Sequence, residues 1–225
     1  MKFYIDDKMV EIENIDELYI GEGQEGIVYR YEDKDDECDY ALKLYKEFSP
    51  KDRLNFETAK GLSEIETERL LLPRKLVYDE NKNFIGYVTE FVNSYSIDSI
   101  SYLNAKDLID EIDILYSDVD LLSMHDVSVD DMILLNMLYD GRIILNDPGS
   151  YRFVTKDSRF LRDTNFVITN EFLNSLICRV VKLTRKEKKN LDNYFLLADS
   201  RVSDLMRCDV IEDETVKTFI KRITK

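Results

Sequence analysis

Gly21, Gly23 and Gly26, in the run Ile20-Gly21-Glu22-Gly23-Gln24-Glu25-Gly26-Ile27-Val28, have the spacing of a phosphate cradle. Without Cβ atoms in the way, a backbone can turn sharply there and come close to a phosphate chain. The spacing alone is a weak signal, because it also marks dinucleotide-binding folds. The flanks discriminate. A dinucleotide fingerprint runs from its glycines straight into a helix. Here Ile27-Val28-Tyr29-Arg30-Tyr31 follows, which is β-branched and aromatic and reads as a strand. A third strand, Tyr40-Ala41-Leu42-Lys43-Leu44, then carries a lysine. Taken alone, Ala41 to Leu44 reads equally as an amphipathic surface strand with a snorkelling lysine. Behind a glycine turn, Lys43 reads as a cation pointing into the cleft beneath it.

Strand, glycine turn, strand and lysine-bearing strand is the order of a kinase ATP cradle. At these residues the chain resembles the protein-kinase-like family, in a minimal, divergent form of bacterial or viral type. Phosphoryl transfer also demands metal-binding carboxylates and a carboxylate to orient the acceptor hydroxyl. The run Met124-His125-Asp126-Val127-Ser128-Val129-Asp130-Asp131 resembles the family's H-R-D-x-x-x-x-N loop. The resemblance implies that Asp126 orients the acceptor and that Asp131 holds a metal ion. Asn146-Asp147-Pro148-Gly149 is similar to the D-F-G segment, which makes Asp147 the principal Mg²⁺ ligand. Lys43 would hold the α- and β-phosphates and take a carboxylate partner from the following helix, Glu57, with Glu64 as the alternative.

Val88-Thr89-Glu90-Phe91-Val92 resembles the hinge, although by itself it reads equally as an ordinary buried strand. By resemblance, the backbone of Glu90 to Val92 would read the adenine edge, with Thr89 as gatekeeper. Val28, Ala41 and an apolar residue near Ile133 to Leu135 would sandwich the purine. The implied cofactors are ATP and Mg²⁺ (or Mn²⁺). The implied fold is α+β and bilobal. Its N-lobe, an antiparallel sheet plus one helix, spans residues 1–92; a reduced, mainly helical C-lobe spans residues 93–225. A protein Ser/Thr hydroxyl is the expected acceptor, with a small-molecule hydroxyl as the other option.

Several positions depart from the family. Met124 stands in place of its usual histidine and is expected to fill the same apolar role. His125 replaces the arginine that pairs with a phosphorylated activation segment in many relatives. Ser128 stands where a lysine often meets the transferred phosphate, so Asp126, Asp130, Asp131 and Asp147 are expected to crowd one site with few cations. Residues 150–225 contain no A-P-E segment. These departures support an alternative, a pseudokinase that binds nucleotide or a partner protein without turnover.

The elements that must position these residues follow from pattern. Met1 to Ile12 reads as a hairpin around Asp6-Asp7, and Leu18 to Ile20 pairs with Gly26 to Tyr31. Charged residues from Glu32 to Asp39 form a solvated turn. Pro50 opens a helical stretch over Lys51 to Arg69, disturbed near Gly61. Lys75 to Tyr78 and Phe84 to Val88 form another strand pair, giving a lobe of five strands and one helix around the site. Leu108, Ile109, Ile112, Leu115, Tyr116, Val119 and Leu122 share one helix face. Met132 to Leu135 and Arg142 to Leu145 read as a short hairpin about Tyr139-Asp140-Gly141, and helical periodicity returns from Asn170.

The 225 residues carry a formal net charge of −15, with acidic residues spread throughout, which argues against nucleic acid as a ligand. Arg185-Lys186-Glu187-Lys188-Lys189 reads as a solvated helix face, with a docking patch as the lesser reading. Cys38, Cys178 and Cys208 are widely spaced and read as free thiols of a reducing compartment. No signal-peptide pattern and no stretch of about 20 apolar residues appears, so a cytoplasmic protein without a membrane partner is expected.

Overall fold

The computed structural model describes residues 1–33, 38–47, 53–155, 158–198 and 201–225. The chain divides into two compact units. One comprises Met1–Thr67, Leu71–Asn93 and Asp147–Tyr151; the other comprises Glu68–Leu70, Ser94–Asn146 and Arg152–Lys225.

Among the described residues the first unit is a seven-stranded sheet with one α-helix. Its strands are β1 (Lys2–Ile5), β2 (Lys8–Glu11), β3 (Tyr19–Glu22), β4 (Gly26–Asp33), β5 (Cys38–Tyr45), β6 (Lys75–Tyr78) and β7 (Phe84–Glu90). They lie in the order β2-β1-β6-β7-β5-β4-β3, and every neighbouring pair is antiparallel. The leading hairpin joins the sheet through β1, so the five strands expected around the site become seven. Alternation along β5 sends Leu42 and Leu44 into a core with Phe3, Val77 and Val88, and turns Lys43 to the opposite face. Charged residues at the expected β4–β5 turn continue the ladder as far as Asp33 and Cys38, and residues 34–37 lie outside the described set. Asp33 is buried rather than solvated, because Lys8 and Lys75 each reach it at 3.0 Å.

The helix of this unit, α1 (Phe56–Ser63), is much shorter than the stretch expected from Lys51 to Arg69. Pro50 and Lys51 lie outside the described residues. The start is set by Asn55, whose side chain accepts from the Thr58 amide. Gly61 lies within the last turn, the Glu64 and Ile65 amides close the end on the Gly61 and Leu62 carbonyls, and the amides of residues 68–70 are claimed elsewhere. In the second unit the buried Asp118 carboxylate accepts from the amides of Glu68, Arg69 and Leu70 at 2.9, 2.6 and 3.2 Å. Arg69 then forms a two-point ion pair with Glu111, at 2.8 and 2.9 Å.

The second unit is mainly helical. Asp118 and Glu111 belong to α2 (Ala105–Met124), which Asn104 caps and which buries all seven apolar residues of the expected face. Short strands β8 (Val127–Ser128), β9 (Met137–Tyr139), β10 (Ile143–Leu145) and β11 (Arg152–Phe153) follow, with β9 paired to β10 and β11 to β8. The first strand of the β9–β10 hairpin lies about one turn later than Met132 to Leu135. Gly141, at φ 106°, and an Asp140–Arg142 ion pair at 2.6 Å fix a three-residue loop that aligns Tyr139 with Ile143. Counting back from that pairing leaves Leu134–Asn136 as a single 3₁₀ turn.

Helices α3 (Ser158–Val181), α4 (Arg185–Leu196), α5 (Val202–Asp209) and α6 (Val216–Ile223) complete the unit. The basic run opens α4 and is largely exposed. Thr184 and Glu187 close a reciprocal capping box there, and Glu187 also reaches Lys221 of α6 at 2.7 Å. Among the described residues no helix is long and apolar enough to cross a membrane.

Two outcomes test these anchors. Asp118→Ala strands two buried amides and a half-buried one and should lower stability by about 3 kcal/mol in urea unfolding. Lys221 above all, then the Thr184 amide and hydroxyl, hold the Glu187 carboxyl down at about 2. Its contribution is therefore present in full above the ordinary glutamate value of about 4.3 and is lost as pH falls through about 2. Glu187→Gln should accordingly unfold earlier than the parent at pH 6, and the gap should close on acidification across that window.

Candidate functional site

Within the first unit, sheet register gathers most of the nucleotide candidates on one face. Val28 lies opposite Lys43, Lys43 opposite Tyr87, and Ala41 opposite Thr89. Side chains directly opposite each other point the same way. Val28, Ala41 and Lys43 thus share the face away from the core, together with the buried Thr89 and Tyr87.

The glycine segment is a tight hairpin between β3 and β4. The Gly23 amide donates to the Gly26 carbonyl at 2.9 Å, so Gln24 and Glu25 form a two-residue connection. Lys46 pins the turn, its amide donating to the Glu25 carbonyl and its Nζ to the Gly23 carbonyl, both at 2.9 Å. Gly26 is obligatory for packing: a Cβ there would stand 2.5 Å from the Leu44 carbonyl oxygen. Gly21 and Gly23 face open space.

Lys43 carries the decisive geometry. Its Nζ lies 2.6 Å from Asp147 Oδ1 and 2.8 Å from Glu25 Oε2. Burial works against its charge, and the carboxylates of Asp147 and Glu25 outweigh that burial, so its pKa stands above the ordinary lysine value. Asp147 has left-handed backbone, at φ 67°, just before the 3₁₀ turn Pro148–Ser150. Gly149 lies beside it, and a Cβ there would stand 2.9 Å from both Glu25 carboxylate oxygens, so any larger residue would push the Glu25 side chain aside.

Glu57 and Glu64 do not take the expected part. Glu57 is exposed on α1 and Glu64 is exposed just beyond its end, while Lys43 is paired from the glycine hairpin. Beneath Lys43, the Tyr87 ring centroid lies 5.6 Å from Nζ. The Tyr87 hydroxyl is fully enclosed and has no hydrogen bond of normal geometry. Burial first, then the nearby carboxylates of Asp147 and Glu25, and last the hydroxyl's own approach to Asp147, keep its phenol well above the usual range.

The hinge candidates end β7. Thr89 is buried, its hydroxyl donating to the Glu90 carbonyl at 3.3 Å, and Glu90 and Val92 are half-buried. The Phe91 amide is committed to the Asp39 carbonyl at 3.3 Å. That amide of the expected adenine-reading segment therefore already has a partner within the sheet.

The second unit holds the loop aspartates. Asp126 follows α2 at φ 58° and is exposed; its carbonyl accepts from the Val154 amide at 2.8 Å. Asp131, at φ 61°, is also exposed, and Asn136 donates to its carbonyl at 3.2 Å. The loop between them is pinned from α3 by Asn165, which is wholly buried. Asn165 donates to the Val127 carbonyl and the Ser123 hydroxyl, and accepts from the Val129 amide, at 2.9 to 3.0 Å. Asp130 is paired with Arg152 at 3.0 Å, a cation that the acidic reading of this loop did not foresee. The Ser128 hydroxyl turns to Asp130 at 3.5 Å. Met124 is 75% exposed and does not fill the apolar role expected of it.

Among the described residues, no group of three or more His, Cys, Asp or Glu side chains is assembled to hold a metal by itself. Hard divalent ions are commonly held by one or two carboxylates plus substrate phosphates. A half-buried carboxylate beside an ammonium, Asp147 with Lys43, suits that kind of metal-bound phosphate.

No protein-family model matches the chain, and no curated protein matches it either. Among solved structures it is similar to the autoinhibited serine kinase domain of the giant muscle protein titin. The TM-score is 0.57 over 100% of this chain and 74% of that one, at 14% identity. The fold is kinase-like. At that identity the likeness speaks for the fold alone. Function has to be argued from this chain's own residues.

Glu25, Tyr87, Asn165 and Arg152 escaped the sequence reading. Only Glu25 left a signal, as an acidic residue inside a glycine run meant for phosphates. Tyr87→Phe removes a fully buried hydroxyl that makes no hydrogen bond of normal geometry and should stabilise the ligand-free chain by about 1 kcal/mol. A rise in the urea midpoint at unchanged slope checks this.

Proposed function

We propose that the chain is an ATP- and divalent-metal-dependent phosphotransferase acting on hydroxyl groups, with protein serine or threonine as the acceptor class. The observation that carries this reading is the pairing of Lys43 with Asp147 at 2.6 Å on the face that Val28 and Ala41 share. A lysine in the third strand of a glycine-turn sheet, held by the aspartate of a D-x-G segment, suits phosphate binding beside a metal.

In this reading Lys43 binds α- and β-phosphate oxygens, and Gly21, Gly23 and Gly26 allow the hairpin backbone to approach them. Val28 and Ala41 contact the purine, and the backbone at Glu90 and Val92 reads its edge. Asp147 and Asp131 hold Mg²⁺ or Mn²⁺. When bound, such an ion neutralises charge between the phosphate oxygens. Asp126 receives or orients the proton of the acceptor hydroxyl. The kinase-like fold supports the assignment, as does the order of the segments along the chain.

A second reading, nucleotide binding without turnover, is favoured by Ser128. Its hydroxyl faces Asp130, where a catalytic cation would otherwise stand. A small-molecule acceptor fits the same residues.

Purified chain incubated with γ-labelled ATP and Mg²⁺ or Mn²⁺ separates these readings, with thermal shift reporting binding. The parent should be stabilised by metal and ATP together and should label a generic Ser/Thr protein. Asp147→Ala and Lys43→Met should each lower the labelling rate at least about 100-fold. Metal-dependent stabilisation with no label on proteins or small alcohols would favour the binding module. No stabilisation by ATP would overturn both readings.

A further inference from the structure

We infer that Glu25 is an internal competitor for the phosphate position: its carboxylate occupies Lys43 in the ligand-free chain and must leave when a nucleotide phosphate arrives. The inference rests on the nucleotide reading above and adds a residue to it.

Glu25 sits in the two-residue connection of the glycine hairpin, on the segment that would lie along a phosphate chain. Its side chain folds back so that Oε2 meets Lys43 Nζ at 2.8 Å, and both its oxygens lie where a Cβ at position 149 would meet them. Two carboxylates, Glu25 and Asp147, thus share one ammonium, and the cluster is negative where an anion would bind.

A holding role for Glu25 is the natural rival, since a phosphate-binding lysine needs fixing. Lys43 is fixed without it. Asp147 grips Nζ at the shorter distance, β4 and β7 flank its strand, and the Tyr87 ring lies below. Removing Glu25 would therefore leave the lysine in place and strip one negative charge from the anion's path. The carboxylate takes no part in the backbone bonds of the hairpin, which run through Gly23, Gly26, Lys46 and the Glu25 carbonyl. Variants at this position keep the turn.

Titration calorimetry of the full chain and of Glu25→Gln and Glu25→Ala, with Mg²⁺-ATP and with adenosine, tests the inference. Both variants should bind Mg²⁺-ATP about tenfold tighter or more, with adenosine affinity unchanged because adenosine carries no phosphate. Equal or weaker ATP binding in the variants would overturn the inference and make Glu25 a holder of Lys43. A parallel gain for adenosine would also overturn it, since the effect would not lie at the phosphates. Absence of ATP binding in parent and variants alike would sink the nucleotide reading and this inference together. ATP binding by the parent with no gain in the variants would sink the inference alone.

Discussion

An ammonium placed mid-strand in a seven-stranded sheet constrains everything around it. Taking such a charge out of water costs several kcal/mol unless a counter-ion accompanies it. Lys43 has a side chain only 12% exposed, so carboxylates must come to it. Asp147 and Glu25 do so from distant points of the sequence, and each approach imposes its own backbone demand. Asp147 adopts left-handed backbone, Gly149 leaves room for the Glu25 oxygens, and Gly26 allows the hairpin to close against the Leu44 carbonyl. Asp147–Tyr151 belongs with the sheet in the first unit.

The second unit is organised by buried polar groups instead. α2 supplies an apolar face of ordinary kind, but its Asp118 and Glu111 also hold residues 68–70 and the Ile143 amide. α3 does the same for the Asp126–Asp131 loop through Asn165. Irregular backbone needs partners for its amides and carbonyls just as helices and strands do. A side chain with both donor and acceptor, locked in a packed helix, meets that need at several points of one loop. The loop's position therefore depends on α3 packing as well as on its own pairing with β11.

The parts legible in the sequence are those with a local cause. Strands β1 to β7 announced themselves by β-branched and aromatic runs between turn residues, and α2 by its spacing of apolar residues. Lys43 and the D-x-G aspartate were legible by their order along the chain. Lys43's second partner was not, because a carboxylate on a following helix and one on the hairpin are equally available until helix length is known. That length was hidden by Asp118, which takes the amides of residues 68–70 from about fifty positions away. The start of α3 was missed for a related reason. Asn165 and Thr169 face the interior and interrupt the apolar repeat that would have marked the helix. The β9 register depended on Gly141, whose positive φ outweighs the apolar run before it.

Backbone strain separates the candidate aspartates more sharply than their exposure does. A non-glycine residue in the left-handed region costs roughly 1–2 kcal/mol, less for Asp than for bulkier types. Seven described non-glycine residues have positive φ. Asp6 and Lys82 lie in tight turns between paired strands, and Lys182 directly follows α3, so ordinary chain reversal or helix termination accounts for them. Asp213 lies in the turn before α6. Asp126 directly follows the C-cap of α2, so its conformation also has a structural cause independent of chemistry. Asp131 and Asp147 have neither excuse. One sits between β8 and a 3₁₀ turn, the other opens a 3₁₀ turn without capping it by its side chain. Strain gathers at sites where geometry is fixed for use, and Asp147 takes its share while holding Lys43, which is the support its backbone lends to a working position. The catalytic assignment of Asp126 draws no such support from its backbone and rests on its place in the loop.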